Sequence, residues 1–258
     1  MAAQNLGSTN KADSAGFPWA GRAFESNEFA NDDGSTPEVL ALALTRFAEG
    51  AAGPESVVDA FRSARLLIPL VTEAGDIGFT EDGRQVDKTQ ELSIVTVAAP
   101  DGRRALPVFS CVAAMAEWNP LARPVPADGI RVALAAAGEE TDLVVLDPGA
   151  ATEFVLRRPT VWAVAQENPW SPAWRDPEVA FAFESSVADE PAVVAVELSS
   201  GDPRSRLAAP ELAVRLRLVP GLGESEVAGL VQRLQIAWSR SELIADRVDS
   251  MALTLAAA

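Results

Sequence analysis

The stretch Leu106–Trp118 runs a short apolar segment directly into an amphipathic one, and this junction constrains the fold more than any other part of the chain. The segment Leu106–Phe109 is typical of a buried strand, and the residues after Ser110 have the apolar spacing of a helix. The Ser110 hydroxyl is placed to cap the first helical N–H groups. Because strand patterns lie on both sides, we expect this stretch at the centre of an α/β domain.

Helix and strand patterns alternate over residues 35–166, which we predict to form the first domain. Thr36 followed by Pro37 indicates a helix start, and Ser35 with Glu38 offers a capping box as the alternative. Pro69 indicates an edge position or a bulge in its strand. The predicted elements are helices from Pro37 and Pro54, strands at Leu66–Val71, Leu92–Ala98 and Ala105–Phe109, a helix ending at Asn119-Pro120, a helix over Gly129–Ala137 capped by Asp128, and a strand at Leu143–Leu146. Two short apolar runs, Phe154–Leu156 and Val161–Ala165, fit either type.

The composition changes at residues 167–177, where Pro169, Pro172 and Pro177 interrupt the chain and Trp170 and Trp174 supply apolar surface. We interpret this segment as the joint between two units. Residues 178–258 are predicted to form a smaller C-terminal β-β-α-β unit with strands at Val193–Leu198, Leu212–Val219 and Ser250–Leu255 and a helix over Glu224–Trp238. The predicted fold class is α/β (α+β), a mixed sheet with flanking helices plus this smaller unit.

Residues 1–34 have no sustained hydrophobic period and are predicted to form a flexible N-terminal arm. The arm contains Phe17, Trp19, Phe24 and Phe29. Aromatic side chains bury large areas, so we expect these four to dock the arm either onto the body of the protein or onto a partner.

The charge balance restricts the classes of partner. The chain of 258 residues has 37 acidic and 21 basic side chains, a net charge of −16. Nucleic acid and anionic membrane surfaces repel such a chain, so we expect neither as a partner. A single cysteine, Cys111, excludes an intramolecular disulfide, and together with the polar N-terminus it favours a cytoplasmic protein.

The sequence contains no histidine and no tyrosine. This excludes Ser-His and Cys-His nucleophile pairs and histidine-ligated zinc. The acidic pairs Glu139-Glu140 and Asp32-Asp33 lack the spacing of a calcium loop, and no glycine-rich phosphate motif occurs. We therefore expect no enzyme, no cofactor and no metal site.

A family resemblance rests on several short motifs. They are Arg65–Leu70, Lys88 and Glu91 before a strand, Asp101-Gly102-Arg103, Leu106–Ser110, Trp118, Arg123-Pro124-Val125 and Asp147-Pro148. Together they resemble the N-terminal domain of the SseB family over residues 37–165. The family's strand-to-helix junction usually reads Val-Phe-Thr-Ser, and this chain has Val-Phe-Ser-Cys instead. The resemblance implies the fold of that domain and carries over no catalytic residues.

One candidate ligand site lies at the strand-to-helix junction. Ser110 and the first N–H groups of the helix are suited to an anion, with Lys88 or Arg103 closing over it. The alternative is that Lys88 and its charged neighbours form only a solvated surface. Cys111 is placed to be a nucleophile at a helix start, although its apolar surroundings favour a core residue.

A second set of candidates is aromatic. Phe17, Trp19, Trp170 and Trp174 are predicted partner-binding residues, because tryptophan is enriched at interaction hot spots. For the two tryptophans, packing of the joint against the body is the competing interpretation. The first functional hypothesis is therefore a non-enzymatic module that binds another protein or a second copy of itself. The alternative is a sensor of a small anionic ligand, or a carboxylate-based enzyme, with the anion held at Ser110.

Overall fold

The computed structural model describes residues 32–72, 77–79, 85–87 and 92–258 of the chain. Gly34–Ala258 form one compact unit. The predicted N-terminal arm lies outside the described residues up to Asn31. None of the helices in the described ranges is long and apolar enough to cross a membrane.

Helices and strands alternate along the described residues. In chain order the elements are α1 Glu38–Ala48, α2 Pro54–Ser63, β1 Leu66–Thr72, β2 Ile77–Phe79, β3 Gln85–Asp87, β4 Leu92–Ile94, β5 Val97–Ala98, β6 Arg104–Val108, α3 Val112–Trp118, β7 Arg123–Ala127, α4 Gly129–Gly138, β8 Leu143–Leu146, β9 Phe154–Leu156, α5 Arg158–Ala165, a 3-10 turn Ala173–Arg175, α6 Pro177–Ser186, β10 Val193–Ser200, β11 Leu212–Leu218, α7 Glu224–Ser239, α8 Glu242–Arg247 and β12 Met251–Ala257.

The strands of the first half form two sheets beside the short β2–β3 hairpin. One has the order β4-β1-β7 and is antiparallel throughout, and the other has the order β5-β6-β8-β9. In the second sheet β6 and β8 are parallel, so their carboxyl ends lie side by side. The helices α1, α2, α4 and α5 contribute to the main apolar core with these strands, and Phe61, Leu66, Leu106 and Val144 are fully buried in it.

The second half has its own sheet, of order β10-β11-β12, with β11 antiparallel to β10 and parallel to β12. Side chains alternate along β11. Leu212, Val214 and Leu216 are fully buried and share a core with Leu230 and Leu234 of α7, whereas Arg215 and Arg217 lie on the exposed face. Such an alternation is typical of a strand that has one face on the core and the other in solvent.

The α+β class, with a mixed sheet, flanking helices and a C-terminal sheet, is confirmed. Most of the predicted elements lie within a residue or two of their predicted bounds, and Asp128 caps α4 by accepting from the Arg131 amide. The first helix begins at Glu38 with Pro37 at its cap, one residue later than predicted.

Two strand predictions are wrong. The segment Leu92–Ala98 is not one strand, because β4 pairs with β1 and β5 pairs with β6, so the chain crosses between sheets in the middle of the run. Pro69 is not in an edge strand, since β1 lies between β4 and β7. The proline is tolerated there because the ladder to β4 covers only Leu70–Thr72 and the backbone groups of residues 67 and 69 point away from β7, so the missing Pro69 amide lies outside both ladders.

A close approach between α2 and α4 gives a test of the packing. A Cβ on Gly129 would lie 2.1 Å from the Phe61 carbonyl oxygen. We therefore expect Gly129→Ala to lower the free energy of unfolding by about 1–3 kcal/mol in urea titrations. Gly138 closes the same helix with open space around it, so Gly138→Ala is the matched control and should leave stability unchanged or raise it by up to about 1 kcal/mol. Equal effects at both positions would contradict this packing.

Candidate functional site

Ser110, the predicted anion-binding residue, lies at the end of β6 and is buried. Its amide donates to Asp147 Oδ1 at 2.7 Å and its hydroxyl donates to Asp147 Oδ2 at 2.7 Å. The hydroxyl also lies 3.0 Å from Thr36 Oγ1, and the Ser110 carbonyl accepts from Arg65 at 3.0 Å. The polar groups of Ser110 are therefore all engaged within the protein.

Asp147 follows β8, so the two parallel strand ends place this carboxylate against Ser110. Its side chain accepts a third hydrogen bond from Thr152 Oγ1 at 2.9 Å, and its backbone has a φ of 48°. The cap of the following helix is Cys111 rather than Ser110, because Cys111 Sγ accepts from the Ala114 amide at 3.4 Å. The junction is thus a closed network that fixes the two sheet strands.

Arg103, the predicted partner of Ser110, points to a different place. Its guanidinium donates to both carboxylate oxygens of Asp249, at 2.7 and 3.1 Å, and to Asp101 at 2.7 Å. Lys88 lies outside the described residues. Ser110 and Arg103 therefore do not face a common site. Binding of an anion at Ser110 stays a prediction, and no contact among the described residues supports it.

A buried ionic cluster joins the first half of the chain to the second. Arg157, with only 7% of its side chain exposed, donates to Asp202 at 2.8 Å and to Asp249 at 3.2 Å. It also donates to Ser250 Oγ and to the Ala209 carbonyl. Because one guanidinium contacts the chain near residues 202, 209 and 249, it fixes these segments against β9 and α5.

The charged groups of this cluster shift one another's pKa. Burial raises the pKa of Asp249, but the hydrogen bonds and charges of Arg103 and Arg157 outweigh burial, so its pKa lies below the usual value. The hydrogen bond to Asp249 raises the pKa of Arg103. Glu211 lies beside them, where burial raises its pKa although its carboxylate accepts from the Asp249 amide at 2.7 Å. The cluster thus holds its ion pairs charged, whereas burial disfavours the charged form of Glu211.

Trp170 and Trp174, predicted to bind a partner, are half-buried at this joint. Trp170 packs against the core of the first half and Trp174 against the core of the C-terminal sheet. Both line a small cavity with Arg157 and Glu211. Their part in binding a partner stays a prediction. The other two aromatic candidates, Phe17 and Trp19, lie outside the described residues.

Among the tryptophans of the described residues the exposed one is Trp162, in the middle of α5, with 51% of its surface accessible. It lies in a groove of about 750 Å³ whose walls come from α5, from residues 166–171 and from α8. A second hollow of about 190 Å³ continues along its other side, lined by Ala133, Ala137 and Ala165. We call these two hollows together the Trp162 groove.

Hydrogen bonds fix the walls of the Trp162 groove. Arg62 of α2 donates to the Ala163 carbonyl at 3.2 Å and to the Asn168 carbonyl at 2.6 Å. Arg158 donates to the Ala245 carbonyl of α8. Arg247 donates to Asp176 at 2.7 Å, which raises the pKa of Arg247. The two basic residues that line the groove are therefore held by acceptors of the protein itself.

Some of its acidic residues are not held in this way, whereas Asp176, which also lines the groove, accepts from Arg247. Asp142 and Asp246 are exposed, and their carboxylates form no hydrogen bond or ion pair within the described part of the chain. Glu140, in the second hollow, is exposed and similarly unpaired among those residues. The groove thus presents carboxylates and an aromatic ring, both of which attract a cation. Among the residues that the structure describes, no group of three or more Cys, Asp or Glu is suited to hold a metal ion.

The sequence did not predict the Trp162 groove, because the apolar run Val161–Ala165 is too short for its pattern to distinguish a helix from a strand. A sequence pattern that indicates a helix start lies just before this run, where Arg158-Pro159 places a proline in the first helical turn. A helix begun there buries Val161 and Val164 on one face, which leaves Trp162 off that face. The second wall, α8, comes from a segment about 80 residues further along the chain, and such a pairing has no local sequence pattern.

The comparisons identify one region of the chain. A family model described as the SseB protein N-terminal domain matches residues 40–163. Neither the curated proteins nor the solved structures gave a match. The matched region includes Trp162 and Arg157, whereas Asp202, Asp249 and α8 lie beyond it.

The buried cluster predicts a large effect of removing Arg157. In Arg157→Ala the carboxylates of Asp202 and Asp249 lose a buried partner, so we expect the free energy of unfolding to fall by about 3–5 kcal/mol in urea. Arg215 is the control, since it is mostly exposed and lies 3.8 Å from Glu197, and Arg215→Ala should cost at most about 1 kcal/mol. A loss below about 1 kcal/mol for Arg157→Ala would contradict the assigned role.

The raised pKa of Glu211 predicts that the stability of the fold depends on pH. Because its folded pKa is raised above the unfolded value, its contribution to stability is present at acid pH and is lost as the pH rises through the folded pKa. Glu211→Gln removes this loss, so the variant should melt at a higher temperature than the wild type near pH 7.5, and the difference should shrink near pH 4.5. A variant that melts lower than the wild type near pH 7.5 would show that the Glu211 charge is stabilising.

Proposed function

Because residues 40–163 belong to the SseB family as its N-terminal domain, we propose that the protein is a non-enzymatic SseB-like interaction module. Its site is the Trp162 groove, and its ligand is a basic, extended segment of a partner protein. The observation that carries the proposal is the exposed Trp162 within a groove whose basic side chains are engaged, whereas the carboxylates of Asp142 and Asp246 are not.

The size and shape of the groove favour a peptide segment as the ligand. A volume of about 750 Å³ is within the range of sites that take a compact ligand, and the adjoining hollow extends it along α5. Trp162 supplies the apolar anchor, since tryptophan is prominent among the residues that dominate binding energy at interfaces. An extended segment with one side chain on the indole fills such a groove without any change in the fold.

The charges favour a basic segment. Asp142, Asp246 and Glu140 lie along the groove, and a lysine or arginine of the partner gains both their attraction and a cation–π contact with Trp162. The net charge of −16 adds long-range attraction for a basic partner and repels an acidic one. Arg158 and Arg247 do not cancel this preference, because each hydrogen-bonds to an acceptor of the protein.

The absence of histidine and tyrosine from the sequence supports a binding role over catalysis. The single cysteine supports a cytoplasmic location, where thiols stay reduced.

A display selection tests the proposed ligand class. We expect the full chain, presented to a phage library of random peptides of about 12 residues, to enrich sequences with lysine or arginine beside an apolar residue. The affinity of a selected peptide, measured by fluorescence anisotropy, should fall about tenfold or more in Trp162→Ala, because the anchor of the complex is lost. Asp142→Asn combined with Asp246→Asn should weaken binding and flatten its salt dependence.

The matched control is Phe181, an aromatic side chain that is 70% exposed and lies outside the groove. Phe181→Ala should leave the affinity unchanged. Enrichment of acidic or uncharged peptides, or equal losses in Trp162→Ala and Phe181→Ala, would contradict the proposed site.

A further inference from the structure

The strand β12 is an edge of the C-terminal sheet and pairs with β11 alone among the strands of the described residues. The hydrogen bonds at the two ends of β12 show which of its backbone groups point toward β11 and which point away from it. The Leu212 amide donates to the Ser250 carbonyl, and the Ala258 amide donates to the Leu218 carbonyl. In a parallel ladder alternate residues point to the neighbour, so the even-numbered residues of β12 face β11. The amides and carbonyls of residues 251, 253, 255 and 257 therefore point outward.

The two edges of this sheet differ in their protection against pairing. The opposite edge, β10, has a register shift between Val193 and Ala195 and carries Glu197. Bulges and charged side chains are devices that keep an edge strand from pairing with another chain. Along β12 the register with β11 is continuous over seven residues, and the sequence Met-Ala-Leu-Thr-Leu-Ala-Ala has no charge and no proline. Only β12 is therefore open to a further strand.

The side chains of β12 fit a copy of the same strand. Met251, Leu253 and Leu255 share the inner face of the sheet, where Leu255 is still 44% exposed. Ala252, Thr254 and Ala256 share the outer face and are small. A chain with a net charge of −16 repels a second copy over most of its surface, and an uncharged strand is where that repulsion is weakest.

We propose that β12 is a self-association edge, at which two copies of the chain pair their β12 strands antiparallel about a twofold axis. An axis at Thr254 sets residue 253 opposite 255 of the second copy, and 251 opposite 257. Those are the residues with outward backbone groups, so every one of them gains hydrogen bonds. The pairing joins two C-terminal sheets into one continuous sheet and covers Leu255. The twofold axis closes the assembly at a dimer.

The size of this contact sets its strength. A strand of seven residues is about 23 Å long, so the contact is small compared with the interfaces of permanent dimers. The dimer is therefore a weak one whose population rises with protein concentration.

The backbone test is sedimentation of the full chain over about 5–500 µM, a range that spans a weak dissociation constant. The wild type is expected to shift from 27.2 kDa toward twice that mass. Leu255→Pro removes an outward amide and leaves the ladder to β11 intact, so it should stay a monomer throughout. Leu255→Ala is the matched control, since it loses the side chain but keeps the amide, and it should still dimerise. Thermal melting by circular dichroism checks that each variant folds.

A charge-swap test addresses the register. In the proposed pair Thr254 faces Thr254 of the second copy, and it is exposed, so Thr254→Lys sets two like charges against each other. Thr254→Lys alone should be monomeric, and Thr254→Glu alone should dimerise less than the wild type. An equimolar mixture of the two should form a mixed dimer, because opposite charges then meet.

The outcomes decide the proposal. Dimerisation of the wild type, its loss in Leu255→Pro, its survival in Leu255→Ala and its rescue in the Lys–Glu mixture support pairing through β12. A wild type that is monomeric up to about 500 µM overturns it, as does a folded Leu255→Pro variant that dimerises like the wild type. A mixture that fails to associate overturns the axis at Thr254.

Discussion

The buried guanidinium of Arg157 is the interaction on which the arrangement of the two halves depends. It is 7% exposed and bonded to Asp202 and Asp249, so it ties the family domain to two separate segments of the C-terminal half. A buried ion pair of this kind contributes little net stability compared with apolar packing. Removing one partner is nevertheless costly, because it leaves the other charge buried and unpaired. The value of the cluster is therefore geometric, since it permits one relative placement of these segments and makes others costly.

That placement produces the groove. Arg157 is the cap residue of α5, so fixing it sets the direction of the helix on which Trp162 stands. The same cluster holds Asp249, two residues after the end of α8, and Arg158 reaches the last turns of α8 directly. Neither half builds both walls by itself. An SseB-type N-terminal domain supplies the indole, and the C-terminal half supplies the facing wall with Asp246.

The sequence predicted the parts of this structure that rest on local periodicity. The alternation in β11, the cap at Asp128 and the strand-to-helix junction after β6 are each determined within a few residues. It did not predict the site, because the contacts that build it join residues far apart in the chain: Arg157 lies 92 residues from Asp249. For the same reason Ser110 looked available to a ligand, although its hydroxyl is bound to Asp147, 37 residues away.

The most direct test of the account is an amide NMR titration of the full chain with a basic peptide selected on it. If one groove built from both halves binds the partner, the indole N–H signal of Trp162 and the backbone signals of α8 should shift together, with the same dissociation constant. Signals of the exposed face of the β10-β11-β12 sheet should stay in place. Shifts confined to one half of the molecule, or an unmoved Trp162 signal, would contradict the account.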